Sequence, residues 1–414
     1  MSNDQPKMDT RACRTLSLFV FIDALGWELA KEYAFLDDLL PNRGPLGTIF
    51  GYSSTCEPTI LTGAMPRDHG HFAFFTRARG KTPFRYYWLF RFIPRFVTRR
   101  GRVRSFMSKC LKRIHGITGY FQIYNMPFEH LHRFDYTEKH DMFEPGGING
   151  QLPTIFDYLA ERQIPIHRSD WRKSEQENLA SAQNALNNGQ ARFAYVYLAS
   201  LDADLHNEGK SGDSVRKKLE WYEHEVRGLF NTAIARYDDV RLFVYSDHGM
   251  TETISTVPLM DRIDSLGLKF GEDYLAVYDS TMARFWFENA NARATITAAL
   301  EQETHGHILS HDELAHWGCD FADNEYGETF FLLDPGRLLC PSFMGEKPLV
   351  GMHGYDPDHE DSIAAFMTNV PDITIPKRLD DIYTLMKSEI ESDVEEISTS
   401  AVSQAHGFNP PETT

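Results

Sequence analysis

Short runs of apolar residues that end at a polar or charged residue recur along the chain, and they predict buried parallel strands. The clearest run covers residues 242–245 (Leu-Phe-Val-Tyr) and is followed by Ser246, Asp247, His248 and Gly249. A short, continuous apolar run bounded by turn residues is typical of a strand that is covered on both faces. Runs of the same kind occupy residues 15–22, 164–168, 194–199 and 363–368.

Helical stretches lie between these runs, most clearly at residues 214–235 and 379–390. Strands that alternate with helices are typical of an α/β fold, so we predict a central, mostly parallel sheet flanked by helices. We predict one catalytic domain over residues 15–391, with cap insertions at about 75–150 and 255–348, preceded by the polar residues 1–14. The acidic, Ser/Thr-rich residues 392–414 are predicted to be a disordered tail.

The composition is that of an ordinary globular protein: 42% of the 414 residues are hydrophobic and 24% are charged. The net charge of −17 argues against nonspecific binding of nucleic acid by the whole surface. Five cysteines without a CxxC pair indicate reduced thiols rather than a disulfide framework. The apolar residues 16–22 are too few to span a membrane and are not followed by a signal-peptide cleavage site, so we expect a soluble, cytoplasmic protein.

Residues 77–113 differ from the rest of this acidic chain. They contain thirteen Lys or Arg residues, and no Asp or Glu occurs between Asp68 and Glu129. Aromatic residues such as Trp88 and Phe92 alternate with the basic ones. The pattern fits a segment that rests on an anionic membrane or gathers an anionic substrate. It equally fits an inserted cap whose basic side chains remain in solvent. No known nucleic-acid module accompanies it, so nucleic acid is not an expected partner.

Residue types that bind metal ions follow several of the predicted strands. Asp202 and His206 are four residues apart, so one helical turn would bring both to the same face. Carboxylate oxygens and imidazole nitrogens suit a divalent ion such as zinc, and open α/β sheets bind ligands at the carboxyl ends of their strands. Taken alone, each residue could instead cap a helix or lie in a solvated turn. The candidate ligands are Asp23, Asp202, His206, Asp247, His248 and His353.

Three hydroxyl side chains and a thiol form the candidate for a nucleophile: Ser53, Ser54, Thr55 and Cys56. We predict that they lie just before a short helix that begins near Pro58, because proline is tolerated in the first turn of a helix. The start of a helix stabilises an anion and can hold a phosphate group. The alternative is a helix cap and loop without a chemical role.

The order and spacing of these pieces resemble the alkaline phosphatase superfamily, in particular its type I phosphodiesterase and nucleotide pyrophosphatase branch. The resemblance implies an alkaline-phosphatase-like sandwich, with a central mostly parallel sheet flanked by helices and with inserted caps. It also implies a metal-dependent hydrolase of phosphate esters. The matching pieces are Phe-Ile-Asp-Ala-Leu-Gly at 21–26, Pro-Thr-Ile-Leu-Thr-Gly at 58–63, Pro-Arg-Asp-His-Gly at 66–70, Asp202-x3-His206-x2-Gly209, Ser-Asp-His-Gly-Met at 246–250 and His-Gly at 353–354.

A site with two divalent ions is a further implication of the resemblance. The ions would be zinc, with manganese as the alternative. The substrate would be a small phosphate ester or phosphoanhydride, whose phosphoryl group is transferred to the hydroxyl and then to water. The ligands of one ion would be Asp202, His206 and His353, and those of the other would be Asp23, Asp247, His248 and the nucleophile.

The match to the family is incomplete at the nucleophile. Counting back from Thr62 by the usual interval of the family reaches Ser53, whereas alignment on the proline reaches Cys56, and an asparagine common in the family is not matched. We favour Ser53, with Ser54 and then Thr55 as alternatives. Other functions stay open: a phosphotransferase or phosphatase acting on a lipid or glycan headgroup, a sulfatase, whose Cys-x-Pro-Ser-Arg motif is only partly matched, or a non-catalytic metal-binding protein of the same fold.

Overall fold

The computed structural model describes residues 15–92, 100–148 and 152–405. The strands are β1 Thr15–Ile22, β2 Asn42–Leu46, β3 Phe75–Arg77, β4 Phe134–Tyr136, β5 Ile166–Arg168, β6 Phe193–Leu198, β7 Asp239–Tyr245, β8 Thr251–Glu252, β9 Ser255–Val257, β10 Tyr274–Tyr278, β11 Met282–Phe287, β12 Gly306–Ile308, β13 Thr329–Leu333, β14 Arg337–Leu339, β15 Gly351–Met352 and β16 Ala364–Thr368. The α-helices are α1 Trp27–Glu32, α2 Ser53–Thr62, α3 Pro66–His69, α4 Gly101–His115, α5 Ile155–Glu161, α6 Glu175–Asn188, α7 Ser200–Glu208, α8 Asp213–Ile234, α9 Leu259–Asp264, α10 Ala290–Glu301, α11 His311–His316 and α12 Leu379–Ala405. Short 3-10 helices cover Tyr87–Phe92, Phe128–Arg133 and Glu360–Ser362.

β1 lies within a six-stranded sheet with the order β2-β16-β7-β1-β6-β5. The strands β5, β6, β1 and β7 pair in parallel, and β16 is antiparallel to both of its neighbours. All eight residues of β1 are buried, because alternate side chains enter cores on opposite faces of the sheet. Leu18 and Val20 lie in one apolar cluster, and Phe19 and Phe21 lie in another. The predicted α/β fold with a mostly parallel central sheet is confirmed.

The carboxyl ends of β1, β6 and β7 lie side by side. Ile22 of β1 is paired with Leu198 of β6, and Phe21 of β1 is paired with Tyr245 of β7. The segments that follow these three strands therefore leave the sheet at the same edge. In open α/β sheets this edge is where ligands bind.

The two inserted segments pack against each other. The first contains the β3–β4 pair and α4, and the second contains the antiparallel sheet β10-β11-β13-β12. Phe75 from the first segment and Trp286 from the second belong to one apolar cluster. Arg284 is fully buried and forms an ion pair with Asp279 at 2.9 Å. Its guanidinium also donates hydrogen bonds to the carbonyl oxygens of Phe75 and Tyr326, so it joins the two segments.

The predicted start of α2 near Pro58 is wrong, because the helix begins at Ser53. The carbonyl oxygen of Tyr52 accepts hydrogen bonds from the backbone N–H groups of Thr55 and Cys56, and these bonds form the first turn. Pro58 lies inside the helix, where it removes one backbone hydrogen bond. The candidate nucleophiles at residues 53–56 therefore form the first turn of the helix and do not lie in a loop before it.

Helix α12 continues to Ala405, beyond residue 392, where the predicted tail begins. Extending a helix that has already formed costs much less than starting one, so the helix passes residue 392. Within the described residues, no helix is long and apolar enough to cross a membrane. Predictions for residues 1–14 and 406–414, and for Arg95, Phe96 and Arg99 of the basic segment, fall outside the described ranges.

Candidate active site

Asp202, His206 and His353 form a compact group of metal-ligand side chains, called the first cluster below. Each offers one oxygen or nitrogen atom, and these atoms lie within 4.8 Å of one another. Asp202 Oδ1 is 3.3 Å from His206 Nε2 and 3.6 Å from His353 Nε2. His206 Nδ1 donates a hydrogen bond to the carbonyl oxygen of Gly351 at 2.8 Å, so the lone pair of its Nε2 faces Asp202.

Asp23, Asp247 and His248 form the second cluster, whose ligand atoms also lie within 4.8 Å of one another. His248 Nε2 is 3.2 Å from Asp247 Oδ2 and 3.6 Å from Asp23 Oδ1. His248 Nδ1 donates a hydrogen bond to the carbonyl oxygen of Gly249 at 2.9 Å, which again turns the Nε2 lone pair inward. Asp247 Oδ1 accepts hydrogen bonds from the backbone N–H groups of Ala24 and His248, so Oδ2 is left for the cluster.

The two clusters are neighbours in one site. The rings of His248 and His353 stack with their centroids 3.7 Å apart and their planes at 11°. The ring centroid of His206 lies 5.2 Å from that of His353. The structure thus brings all six predicted ligand side chains together at the carboxyl edge of the sheet.

The side chains of both clusters fit divalent cations. Asp23 Oδ1, Asp202 Oδ1 and Asp247 Oδ2 are buried and accept no hydrogen bond from any described residue. Burial raises the pKa of Asp23, and the negative charge of Asp247 raises it further. Burial also raises the pKa of Asp247. Burial acts on Asp202 in the same direction, but the nearby imidazoles hold its pKa below the usual value. Buried lone pairs that converge without a donor are stabilised by a cation, and carboxylate and imidazole ligands suit zinc.

Ser53 is the hydroxyl residue that faces the clusters. It is the first residue of α2, and its Oγ lies 3.1 Å from His248 Nε2. Thr55 Oγ1 instead donates a hydrogen bond to the carbonyl oxygen of Phe72. The Ser54 hydroxyl is buried without a hydrogen bond to a described residue. The Cys56 thiol is buried 3.6 Å from Thr48 Oγ1, and burial raises its pKa, which opposes formation of a reactive thiolate.

Glu57 lies near Ser53 and was not anticipated from the sequence. It is one turn after Ser53 in α2, and its Oε1 accepts a hydrogen bond from the Tyr197 hydroxyl at 2.7 Å. Burial raises the pKa of Glu57 to about 8; the hydrogen bond from Tyr197 opposes this rise and the charge of Asp247 adds to it. The spacing of four residues from Ser53 is the signal that would have indicated Glu57, had the helix start been known.

Tyr52 is a second residue that the sequence did not indicate. Its hydroxyl oxygen accepts a hydrogen bond from the backbone N–H of Thr281 and lies 2.9 Å from Thr281 Oγ1. Thr281 Oγ1 donates in turn to the carbonyl oxygen of Gly354 at 2.7 Å. The Tyr52 ring also packs edge-on against His353. Tyr52 therefore connects the start of α2 to the loop of His353 and to the second inserted segment, whose Thr281 lies 229 positions away along the sequence. No local sequence pattern connects residues so far apart.

A family profile and solved structures show what the chain is similar to. A profile of the type I phosphodiesterase / nucleotide pyrophosphatase family matches residues 43–356. The chain belongs to this family. As a type I phosphodiesterase / nucleotide pyrophosphatase it is a hydrolase of phosphate esters that depends on divalent metal ions, and the predicted relationship to the alkaline phosphatase superfamily is confirmed.

Solved structures of mammalian enzymes share the fold of this family member. Human ectonucleotide pyrophosphatase / phosphodiesterase 5 aligns with a TM-score of 0.63 at 12% identity, over 90% of this chain and 93% of that chain. An inactive variant of the murine enzyme, in complex with AMP, aligns with a TM-score of 0.63 at 14% identity, over 91% and 95% of the two chains. A search of curated protein sequences finds no match. The structural likeness confirms the predicted alkaline-phosphatase-like architecture.

Proposed function

We propose that this family member hydrolyses a small phosphodiester or phosphoanhydride, with Ser53 as nucleophile and with two divalent cations in its site. The observation that carries the proposal is the position of Ser53 Oγ at the start of α2, 3.1 Å from His248 Nε2. Zinc suits the ligands best, with manganese as the alternative. One cation would be bound by Asp202, His206 and His353, and the other by Asp23, Asp247, His248 and Ser53.

Each part of the reaction is assigned to a group of the protein. Ser53 Oγ loses its proton to solvent water and attacks phosphorus, so a bond between Oγ and phosphorus forms while the bond to the leaving oxygen breaks. Divalent cations held by the two clusters would supply the positive charge that stabilises the attacking and the leaving oxygen and lowers the pKa of the Ser53 hydroxyl. The start of α2 adds partial positive charge where the anionic phosphoryl group would lie. Water then attacks phosphorus, which releases Ser53 and the product.

Nucleotide phosphate esters are the substrate class that we propose. The AMP complex of the murine relative supports this class through the shared fold. Above a pH of about 8 the Glu57 carboxyl group, one turn from Ser53, is ionised, and its charge then supports a preference for diesters, because a diester carries less negative charge than a monoester.

Substitution of the hydroxyl residues tests the nucleophile. Ser53→Ala should reduce hydrolysis of bis-p-nitrophenyl phosphate by about a thousandfold or more, because it removes the hydroxyl that lies 3.1 Å from His248 Nε2. Ser54→Ala and Thr55→Ser are the matched controls, and both should retain most of the activity. Activity that survives in Ser53→Ala but disappears in Ser54→Ala would assign the nucleophile to Ser54.

Chelation tests the dependence on metal ions. Removal of bound metal should abolish hydrolysis of the same diester, and zinc or manganese should restore it. Full activity of metal-free protein would contradict the proposed site.

A further inference from the structure

Exposed apolar side chains are concentrated in the first inserted segment. Of the ten large hydrophobic residues that are exposed in the described part of the chain, six lie between residues 86 and 114. Their exposed fractions range from 40% for Trp88 to 74% for Ile114. Single exposed apolar residues need no explanation, but a concentration of them indicates a surface that binds something. The six are Tyr86, Trp88, Leu89, Phe92, Phe106 and Ile114.

The same segment carries basic side chains that form no ion pair within the described part of the chain. Arg77 and Arg79 form ion pairs with Glu288 and Asp323 of the second inserted segment. Between residues 85 and 113, five other basic side chains are exposed in the described part of the chain, and none of them forms an ion pair with a described residue. These five are Arg85, Arg100, Arg102, Lys109 and Arg113. Because no acid occurs between Asp68 and Glu129, this part of a chain with a net charge of −17 is locally positive.

The two faces of α4 explain how basic and apolar residues come to be exposed together. Arg104, Ser108 and Leu111 follow one another at helical spacing and are buried against the cap. The opposite face presents Phe106 and Lys109 to solvent, together with the other exposed side chains of this helix. The 3-10 helix Tyr87–Phe92 is anchored nearby, since its Tyr87 lies in the same apolar cluster as Leu111.

We propose that this surface, the basic aromatic surface made of the six apolar and five basic residues named above, binds peripherally to an anionic phospholipid bilayer. Basic side chains would approach the lipid headgroups, while tryptophan, tyrosine and phenylalanine rings enter the interface between headgroups and acyl chains. Leu89 and Ile114 favour lipid over single-stranded nucleic acid, because an aliphatic side chain has no ring on which a base can stack. A second copy of the same surface would carry the same positive charge, and the two would repel each other.

The expected affinity follows from the number of charges. Each Lys or Arg near an anionic bilayer strengthens partitioning by about fivefold, so removing three should weaken it by about a hundredfold. The interaction should also weaken at high salt, because ions screen charges at the surface.

Flotation with lipid vesicles tests the proposal. The full-length protein should float with vesicles of phosphatidylcholine and phosphatidylserine, and not with phosphatidylcholine alone. Arg102→Gln with Lys109→Gln and Arg113→Gln, and separately Phe106→Ser, should lose most of the binding. Hydrolysis of a soluble diester should stay unchanged in both variants, which shows that they are folded.

The matched control changes the same amount of charge elsewhere. Lys217→Gln with Arg236→Gln and Lys269→Gln removes three exposed basic side chains outside this surface, and it should float like the wild type. Absence of wild-type flotation, or equal flotation with neutral vesicles, would overturn the proposal. Two other results would also overturn the proposal if the protein bound no vesicles. One is binding of single-stranded RNA that Phe106→Ser abolishes, and the other is self-association in sedimentation that the same substitution abolishes.

Discussion

Asp202→Asn should remove one of the two proposed metal ions and leave the other in place. Asp202 Oδ1 is the oxygen that faces both histidines of the first cluster, at 3.3 Å and 3.6 Å. An amide of the same size preserves packing but lacks the negative charge that holds a cation. The second cluster contains none of these three residues, so its ion should remain. Zinc content should therefore fall from about two ions per chain to about one.

Each ion should also stabilise the folded protein by an amount that can be worked out. At a free zinc concentration of 100 times the dissociation constant, one ion adds about 2.7 kcal/mol to the free energy of unfolding. An unfolding entropy of about 2.1 cal/mol/K per residue amounts to about 0.87 kcal/mol/K for 414 residues. One ion should then raise Tm by about 3 °C and two ions by about 6 °C. Asp202→Asn should show about half of the wild-type rise.

Elemental mass spectrometry measures the zinc content, and calorimetry measures Tm after chelation and after titration with buffered zinc. Asp204→Asn is the matched control, because it removes the same charge from the same helix but lies outside the first cluster. It should retain both ions and the full rise in Tm. The reasoning would be refuted if wild-type protein bound no zinc, or if Asp202→Asn retained two ions and the full rise.

Two further predictions concern buried charges. Burial raises the pKa of Glu57 to about 8, so its carboxyl group is neutral below that pH and repels a dianionic monoester above it. The rate of hydrolysis of p-nitrophenyl phosphate, relative to that of bis-p-nitrophenyl phosphate, should fall as the pH rises through about 8. Glu57→Gln should remove this fall. Identical pH profiles for the wild type and Glu57→Gln would contradict the prediction. Arg284→Met leaves Asp279 buried without its partner, and urea unfolding should show a loss of about 3 to 5 kcal/mol. Arg293→Met, which breaks an exposed ion pair with Glu328, should cost less than about 1 kcal/mol, and equal losses would count against a bridging role for Arg284.

The strands and the candidate ligands could be predicted because both depend on local order. A strand buried on both faces requires a continuous apolar run, and β1 and β7 have one. Asp202 and His206 share a helix face at any position of that helix, since the spacing alone determines it. The start of α2 could not be predicted from Pro58. The preference of proline for the first turn reflects only its missing N–H group, whereas the first turn here is formed by hydrogen bonds to the carbonyl oxygen of Tyr52.

The sequence by itself determined the family of this protein, its mostly parallel sheet and the six side chains that could bind metal ions, because each of these follows from residue type and short-range spacing. Tertiary structure alone decided which hydroxyl faces the clusters. Ser53 and Ser54 are chemically identical neighbours, and helix geometry directs one toward His248 while the other is buried. The contacts of Tyr52 with Thr281 and of Glu57 with Tyr197 were decided in the same way, since they join residues that meet only after the sheet and the inserted segments have packed.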